Sequence, residues 1–500
     1  MFYPNLKLRK TVSSAKVNFT DFHKSMDTSI DEALLPYKTA KMSYNFDVKR
    51  GALTNGYGFK KLSLPKAITQ GERELNVPGE PIKKMWVYRY FYDEFQAFEP
   101  ELIFLTESGQ LYFACIHDEA PFTLPIPQDA MFTAIPNALN YNLDSKDTLI
   151  FCSKQDGMWK YVLNEGVKKV EGAPAIISMC LHYERLFAVV GGEQNRLAFS
   201  ANLDPTNWTE DLSSGGFVEM QDERGRLTKV VSFNDYVYVF REYGVSKVSA
   251  YGDQTDFSVS HLFISSVKLY GDTVCVCGNK ILLLARDGVH SFDGYSTKRL
   301  QLGIDELFKN VENDNACSVY FKNKFLLACR LDFNDNEKIG CENFDGGYIN
   351  NALLEIDLTT NEISITRGVD IASMLVIDDK NVAKVAVCFN GEHSCKLGEI
   401  TNDGMMFDLP LKKCWVSPKS NLGYPTKIKQ IKECFIKTKT PCKIRISTDK
   451  EQKEFCVLGK DVSQRVKLGM SGEQIQIEFE SNDAGETYIS CPQITLEISG

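Results

Sequence analysis

Cys388, His393 and Cys395 fall together in the short stretch CFNGEHSC, where two thiols and an imidazole share one hairpin. A zinc site usually takes four ligands, often as close CxxC or HxxxH pairs. This stretch supplies three ligands with no evident fourth, so no metal is assigned. Cys275 and Cys277 point to one face of a strand, as residues i and i+2 must. Neighbours on one strand make poor disulfide partners, and the two read as packed thiols. The six histidines, His23, His117, His182, His261, His290 and His393, are scattered and read as structural or surface residues. The chain has no GxxxxGK[ST] loop, no GxGxxG opening a helix, no GxSxG elbow and no HExxH. No catalytic group and no cofactor is assigned, and an enzyme is not expected.

Two further stretches bear on chemistry. SKQDGMWKY (153–161) places Asp156-Gly157 and Trp159 in a pattern similar to the Asp-box turn of sialidase-like propellers, but one residue short before the Trp and in one copy only. Asp-Gly turns are common in hairpins. A glycosidase would need two placed carboxylates, and the sequence nominates no pair. The segment from 412 to 443 is rich in lysine, including Lys412, Lys413, Lys427, Lys429 and Lys432. On strands such charges mostly solvate an outward face. The alternative is a surface that docks an acidic partner.

Such residues need a scaffold, and the composition is that of a folded one. The 500 residues are 43% apolar and 25% charged, with a net charge of −9. That length predicts two to four domains. The acidic balance argues against non-specific binding of nucleic acid or membrane by the whole surface. No leader is read at the N-terminus, and no apolar run approaches the roughly 20 residues of a membrane-spanning helix. Fifteen cysteines, many inside apolar runs such as VCVC and VAVCF, suit a reducing compartment.

Strand patterns dominate. ELIFLTESGQLYFACI, RLFAVVGGEQNRLAFS and VVSFNDYVYVFREYGVSKVSA each hold two or three apolar runs joined by turns rich in Gly, Asn and Asp. Such units begin near residues 101, 147, 180, 229, 272, 317 and 371, a spacing that brackets the period of propeller blades. The expected fold is all-β: a β-propeller over 61–410, with six blades favoured and seven allowed. An extended N-terminal arm (1–60) is expected to lie across a neighbour. After residue 410 the pattern resets, and a β-sandwich is expected over 411–500. There EQIQIEFE should bury Ile475, Ile477 and Phe479 on one face. Trp208 in the DPTNW loop reads as a packing residue that pins that loop.

RLFAVVGGEQNRLAFSANLDPTNW (185–208) resembles a motif of tailed-phage structural proteins: an R-L-[WF] strand, a Gly-rich turn, an R-[LV]-x-[FY]-S strand, then D-P-x-x-W. The family is the tail nozzle or tail-hub proteins of short-tailed phages, including the packaged-DNA stabilisation type. NFDVKRGALTNGYGFKKL (45–62), LTKVVSFNDYVYVFREYGVSKV (227–248), DGVHSFDGYSTKRLQLGIDELF (287–308) and CWVSPKSNLGYPTKIKQI (414–431) resemble further stretches of it, in the expected order. The cysteine load and the segment KIGCENFDGGYINN (338–351) depart from it. The resemblance implies a structural virion protein, assembled in the host bacterial cytoplasm and resident in the tail. It implies a homo-oligomeric ring, hexameric by preference, that meets portal or adaptor and tail-fibre proteins and lets DNA pass without specific binding. Asn45, Gly51, Leu53 and Gly58, which carry the N-terminal motif, and the five lysines named above become candidate assembly contacts. The competing readings are a non-catalytic propeller module that binds host-surface glycan or protein through an aromatic-lined face, and a glycan-processing propeller.

Overall fold

The computed structural model describes residues 12–499, apart from 19–21, 24–25, 37–38, 66–71, 75–76, 93–95, 115–122, 194, 334–346 and 380–381. Seven antiparallel sheets of propeller type follow one another along the chain, one more than the favoured count. Their first strands are Ile82–Tyr92, Asn137–Leu143, Ile176–His182, Leu227–Phe233, Cys275–Cys277, Cys317–Phe321 and Ile371–Asp379. Each contacts the next around a circle, and the seventh contacts the first; the short turn Gly271–Thr273 bridges the fourth and fifth blades. The sheets therefore form a closed seven-bladed β-propeller with these strands innermost. The first two blades start earlier than the turn signals suggest, at Ile82 and Asn137.

The second strand of each blade explains why the blades must pack. Val237–Arg241 in blade 4, Ile281–Ala285 in blade 5 and Phe325–Cys329 in blade 6 are buried along their length. Arg241 apart, such strands are apolar on both faces and need a neighbouring blade on each side. The hairpins turn on residues that accept left-handed backbone: Asp144-Ser145, Asn234-Asp235 and Lys322-Asn323 all have φ between 45° and 63°.

The ring closes through the N-terminal segment. Blade 7 takes three strands from residues 371–401, and its fourth is Gly58–Lys61, paired antiparallel with Leu397–Thr401 from Gly58↔Thr401 to Lys61↔Gly398. This fourth strand covers the open edge of blade 7. The described parts of residues 12–60 are therefore not a free arm. Val12–Asn18 pairs with Gln493–Ser499, and Met42–Tyr44 pairs with Lys413–Val416, both in sheets of the C-terminal unit. The chain's own open strand edges take up the segment that the sequence pattern left without a core.

That C-terminal unit is a sandwich of a four-stranded and a five-stranded sheet. Ile475, Ile477 and Phe479 are buried on one face as the alternation requires, and Trp415 lies edge-on to Phe22 at 4.8 Å. One apolar cluster runs from Leu282, Leu284, Phe325 and Leu327 of blades 5 and 6, through Tyr44, Phe46 and Leu53, to Ile431, Ile444 and Ile477 of the sandwich. Propeller and sandwich thus share a core.

Candidate recognition face

In an antiparallel blade the turns joining strands 1–2 and 3–4 leave from the same end. At that end, blades 3 to 5 present tyrosines. Tyr183 tips the hairpin between Ile176–His182 and Arg185–Val190; Tyr251 follows Gly244–Ser249; Tyr295 follows Gly288–Phe292. They are 50%, 75% and 68% exposed. Tyr183 and Tyr251, from adjacent blades, meet edge-on at 5.6 Å. The Lys247 ammonium lies 4.3 Å from the Tyr236 ring and 5.0 Å from the Tyr295 ring, which links blades 4 and 5.

Tyr183 has φ 51°. A bulky side chain in the left-handed region is strained, and the sibling hairpins use Asp, Ser, Asn or Lys there. The structure holds it from behind. The Leu203 N–H donates to the Glu184 carbonyl (2.9 Å), and the Asn202 amide donates to the Glu184 carboxylate (3.2 Å). The Arg185 guanidinium donates to the carbonyls of Ser200 (2.9 Å) and Ser214 (2.7 Å). All of these partners lie on the long loop 200–215. The loop is shaped by Asp204, which accepts the N–H of Thr206 at 2.9 Å, and anchored by Trp208, buried against Ile150, Met158 and Leu186. The Gln254 amide then donates to the Asp211 carbonyl at 2.7 Å, tying the loop to the segment that carries Tyr251. The loop that contains DPTNW thus buttresses the Tyr183 hairpin and the segment that carries Tyr251. His182, beneath Tyr183, shares a 2.9 Å hydrogen bond with Ser232 Oγ, and burial lowers its pKa. Burial first, and the nearby Asp235 carboxylate second, push the Tyr183 pKa up.

The residues singled out in the sequence lie elsewhere, and most are used inside the chain. Asn45, fully buried at φ 61°, donates to the carbonyls of Arg367 (3.1 Å) and Lys412 (2.6 Å) and accepts the Arg367 N–H (2.8 Å). Gly51 offers its carbonyl to Cys491 Sγ at 3.2 Å, and Leu53 is buried beside Ile489. A Cβ on Gly58 would sit 2.0 Å from Asp403 Oδ1 and 2.5 Å from Met405 N. Burial of Asn45 and Leu53 corrects the expectation that this motif offers assembly contacts: it closes the ring and joins it to the sandwich.

The lysine-rich stretch is likewise not an open basic surface. Lys413 and Lys429 are buried. Lys429 Nζ donates to the carbonyls of Tyr424, Lys427 and Glu473 at 2.7–3.0 Å, and Lys413 Nζ to that of Asp483 at 2.9 Å. Burial lowers both ammonium pKa values. Lys412 pairs with Glu480 at 3.3 Å and Lys432 with Glu497 at 2.9 Å, while the Lys427 side chain is exposed.

The remaining chemistry-bearing residues have structural surroundings. Cys388 is buried in blade 7, His393 lies edge-on to Phe407 at 5.2 Å, and Cys395 Sγ faces the Gly79 carbonyl at 3.8 Å. Among the described residues no group of three or more Cys, His, Asp or Glu could hold a metal ion. Asp156 accepts from Thr133 N (3.0 Å), Thr133 Oγ1 (2.6 Å), Ala134 N (3.1 Å) and Ser153 Oγ (2.8 Å). Burial pushes this carboxyl's pKa up, but the hydrogen bonds outweigh it and hold the pKa below its ordinary value.

Sequence reasoning missed Tyr183, Tyr251 and Tyr295. The available signal was HYER, a hairpin turn with an aromatic where small polar residues are the norm.

No family model matches the chain, and no curated protein matches it. Among solved structures, it is similar to BBS1N crystallised in complex with ARL6DN (10% identity, TM-score 0.41, covering 68% of this chain and 96% of that one). It is similar to the Neurospora crassa Pan2 WD40 domain (9%, 0.38, 69% and 95%) and to virginiamycin B lyase from Staphylococcus aureus (8%, 0.37, 69% and 99%). The propeller assignment rests on the sheet topology.

Proposed function

We propose that this chain is a non-catalytic β-propeller recognition module that docks a surface glycan on its tyrosine face. The observation that carries the reading is Tyr183: an exposed aromatic kept in left-handed backbone, buttressed by a dedicated loop and set against Tyr251. Strain of this kind costs on the order of 1–3 kcal/mol and persists where it is used. Tyrosine rings present a flat apolar face with a polar tip. Such faces stack on the C–H side of a pyranose, while Glu184, Asp235 and Lys247 stand ready for its hydroxyls. The test is a bacterial-glycan array probed with the purified protein and with the Tyr183→Ala/Tyr251→Ala pair. Binding lost in the variant supports the reading; binding that survives it overturns it.

A second reading, a subunit of a short-tailed phage's tail nozzle or hub ring, is favoured by the ordered motifs from residue 45 to 431. Closure of the propeller by residues 58–61 and its shared core with the sandwich suit a force-bearing part. Negative-stain imaging, alone and with candidate adaptor rings, tests it. A ring with a central hole supports it, and a monomer that joins no adaptor counts against it.

A further inference from the structure

The tyrosine face already holds one ammonium of its own. Lys247 Nζ lies 4.3 Å from the Tyr236 ring and 5.0 Å from the Tyr295 ring, where blades 4 and 5 meet. A cation over an aromatic face is attracted by the ring quadrupole. The neighbouring junction, between blades 3 and 4, is built the same way. The Tyr183 and Tyr251 ring centroids are 5.6 Å apart and the ring planes cross at 72°. Two planes at that angle enclose a corner with a ring face on each wall, whereas stacked rings would cover one another. Among the described residues no cation lies over the Tyr183 or Tyr251 ring.

The cations beside this second corner are committed elsewhere. Arg185, on the Tyr183 hairpin, donates to the Ser200 and Ser214 carbonyls of the loop behind it. Lys247 is held between its own two rings. The carboxylates around the corner face solvent. Asp235 is exposed on the next hairpin, and the 2.9 Å hydrogen bond between His182 and Ser232 ties that hairpin to the one bearing Tyr183. Glu184 is exposed beside Tyr183, and Asp253 is exposed just past Tyr251. Two aromatic walls under a negative rim complement a positive group and repel an acidic one. The type of cation follows from hydration. A primary ammonium is a compact, strongly hydrated charge with three donors to satisfy. A trimethylammonium carries the same charge on an apolar surface and has no donor, so ring faces with a carboxylate nearby suffice.

We propose that the corner between Tyr183 and Tyr251 binds a quaternary ammonium group of the choline type, carried as a substituent on the glycan. The inference rests on the recognition reading above and names the substituent that selects the glycan.

The test titrates the full chain with choline chloride at constant ionic strength and follows the ligand methyl resonances by NMR. The control ligand is the neutral isostere in which a tert-butyl group replaces trimethylammonium. Saturable choline binding, about ten-fold tighter than that of the isostere, is expected. Tyr251→Leu keeps apolar bulk without the ring and should weaken choline binding about ten-fold at unchanged Tm, while Tyr251→Phe should keep it. Asp235→Asn should weaken it several-fold. Equal binding of choline and the isostere, no choline binding, or choline binding that Tyr251→Leu leaves unchanged overturns the inference. The glycan array, repeated with choline as competitor, separates this inference from the reading beneath it. Glycan binding that needs the tyrosines and is displaced by choline supports both. Glycan binding that needs the tyrosines but ignores choline overturns the ammonium inference and leaves the recognition reading standing. Choline binding with no glycan bound keeps the corner as an ammonium site and overturns the glycan reading.

Discussion

Replacing Asn45 by alanine should cost far more than a surface turn residue could. Its amide makes three buried hydrogen bonds, two donated and one accepted, that join the N-terminal segment to blade 6 and to the strand entering the sandwich. Alanine leaves an N–H and two carbonyls without those partners, at about 1–1.5 kcal/mol each when averaged over relaxation. It must also hold φ 61°, which adds about 1 kcal/mol. The total is about 4–5.5 kcal/mol, in the tail of single-residue effects. Asn361 is the control. It has φ 58° on an exposed turn, so Asn361→Ala should pay only the backbone part, about 1 kcal/mol. Urea unfolding followed by circular dichroism reads both, as the shift in midpoint at unchanged slope. Equal shifts for the two variants would refute the idea that Asn45 pins the two units together.

Further outcomes follow from the same contacts. Gly58→Val drives a Cβ into Asp403 and the Met405 backbone and should open blade 7; soluble expression should collapse, while Gly79→Val, with open space around its Cβ, should express normally. Because one core spans both units, Trp415 fluorescence in the sandwich and Trp208 fluorescence in blade 3, each read in single-tryptophan variants, should share one unfolding midpoint. Asp156 ionises below its ordinary pKa in the folded state, so its contribution is complete above that ordinary value and is lost as pH falls through the lower, folded one. Asp156→Asn should therefore flatten the acid limb of a stability–pH profile below about pH 4 and leave the slope at neutral pH unchanged.

The fold was legible where the chemistry is local. Period-two alternation in EQIQIEFE located buried Ile475, Ile477 and Phe479, and Asn-Asp and Lys-Asn turns marked the hairpins. The packing role of Trp208 was legible from its loop. What depended on distant pairing was not. Nothing in GFKK announces that it is the fourth strand of a blade begun at residue 371, so the ring seemed one blade short and the first 60 residues seemed detached. The lysines misled for a related reason: their sequence shows charge but not the carbonyls that enclose Lys429 or the Glu480 beside Lys412. Asn45 was picked out by its motif but given the wrong role, since partners at residues 367 and 412 are invisible along the chain. The tyrosine face combines turns from blades 3, 4 and 5, which meet only once the blades pack side by side.

The tyrosine face is tested most directly by titrating a glycan hit from the array against wild type and Tyr251→Ala. Tyr251 is 75% exposed, so its loss should leave folding intact. A drop in affinity of at least ten-fold with an unchanged Tm is the predicted result. Equal affinity in the two proteins would contradict the account.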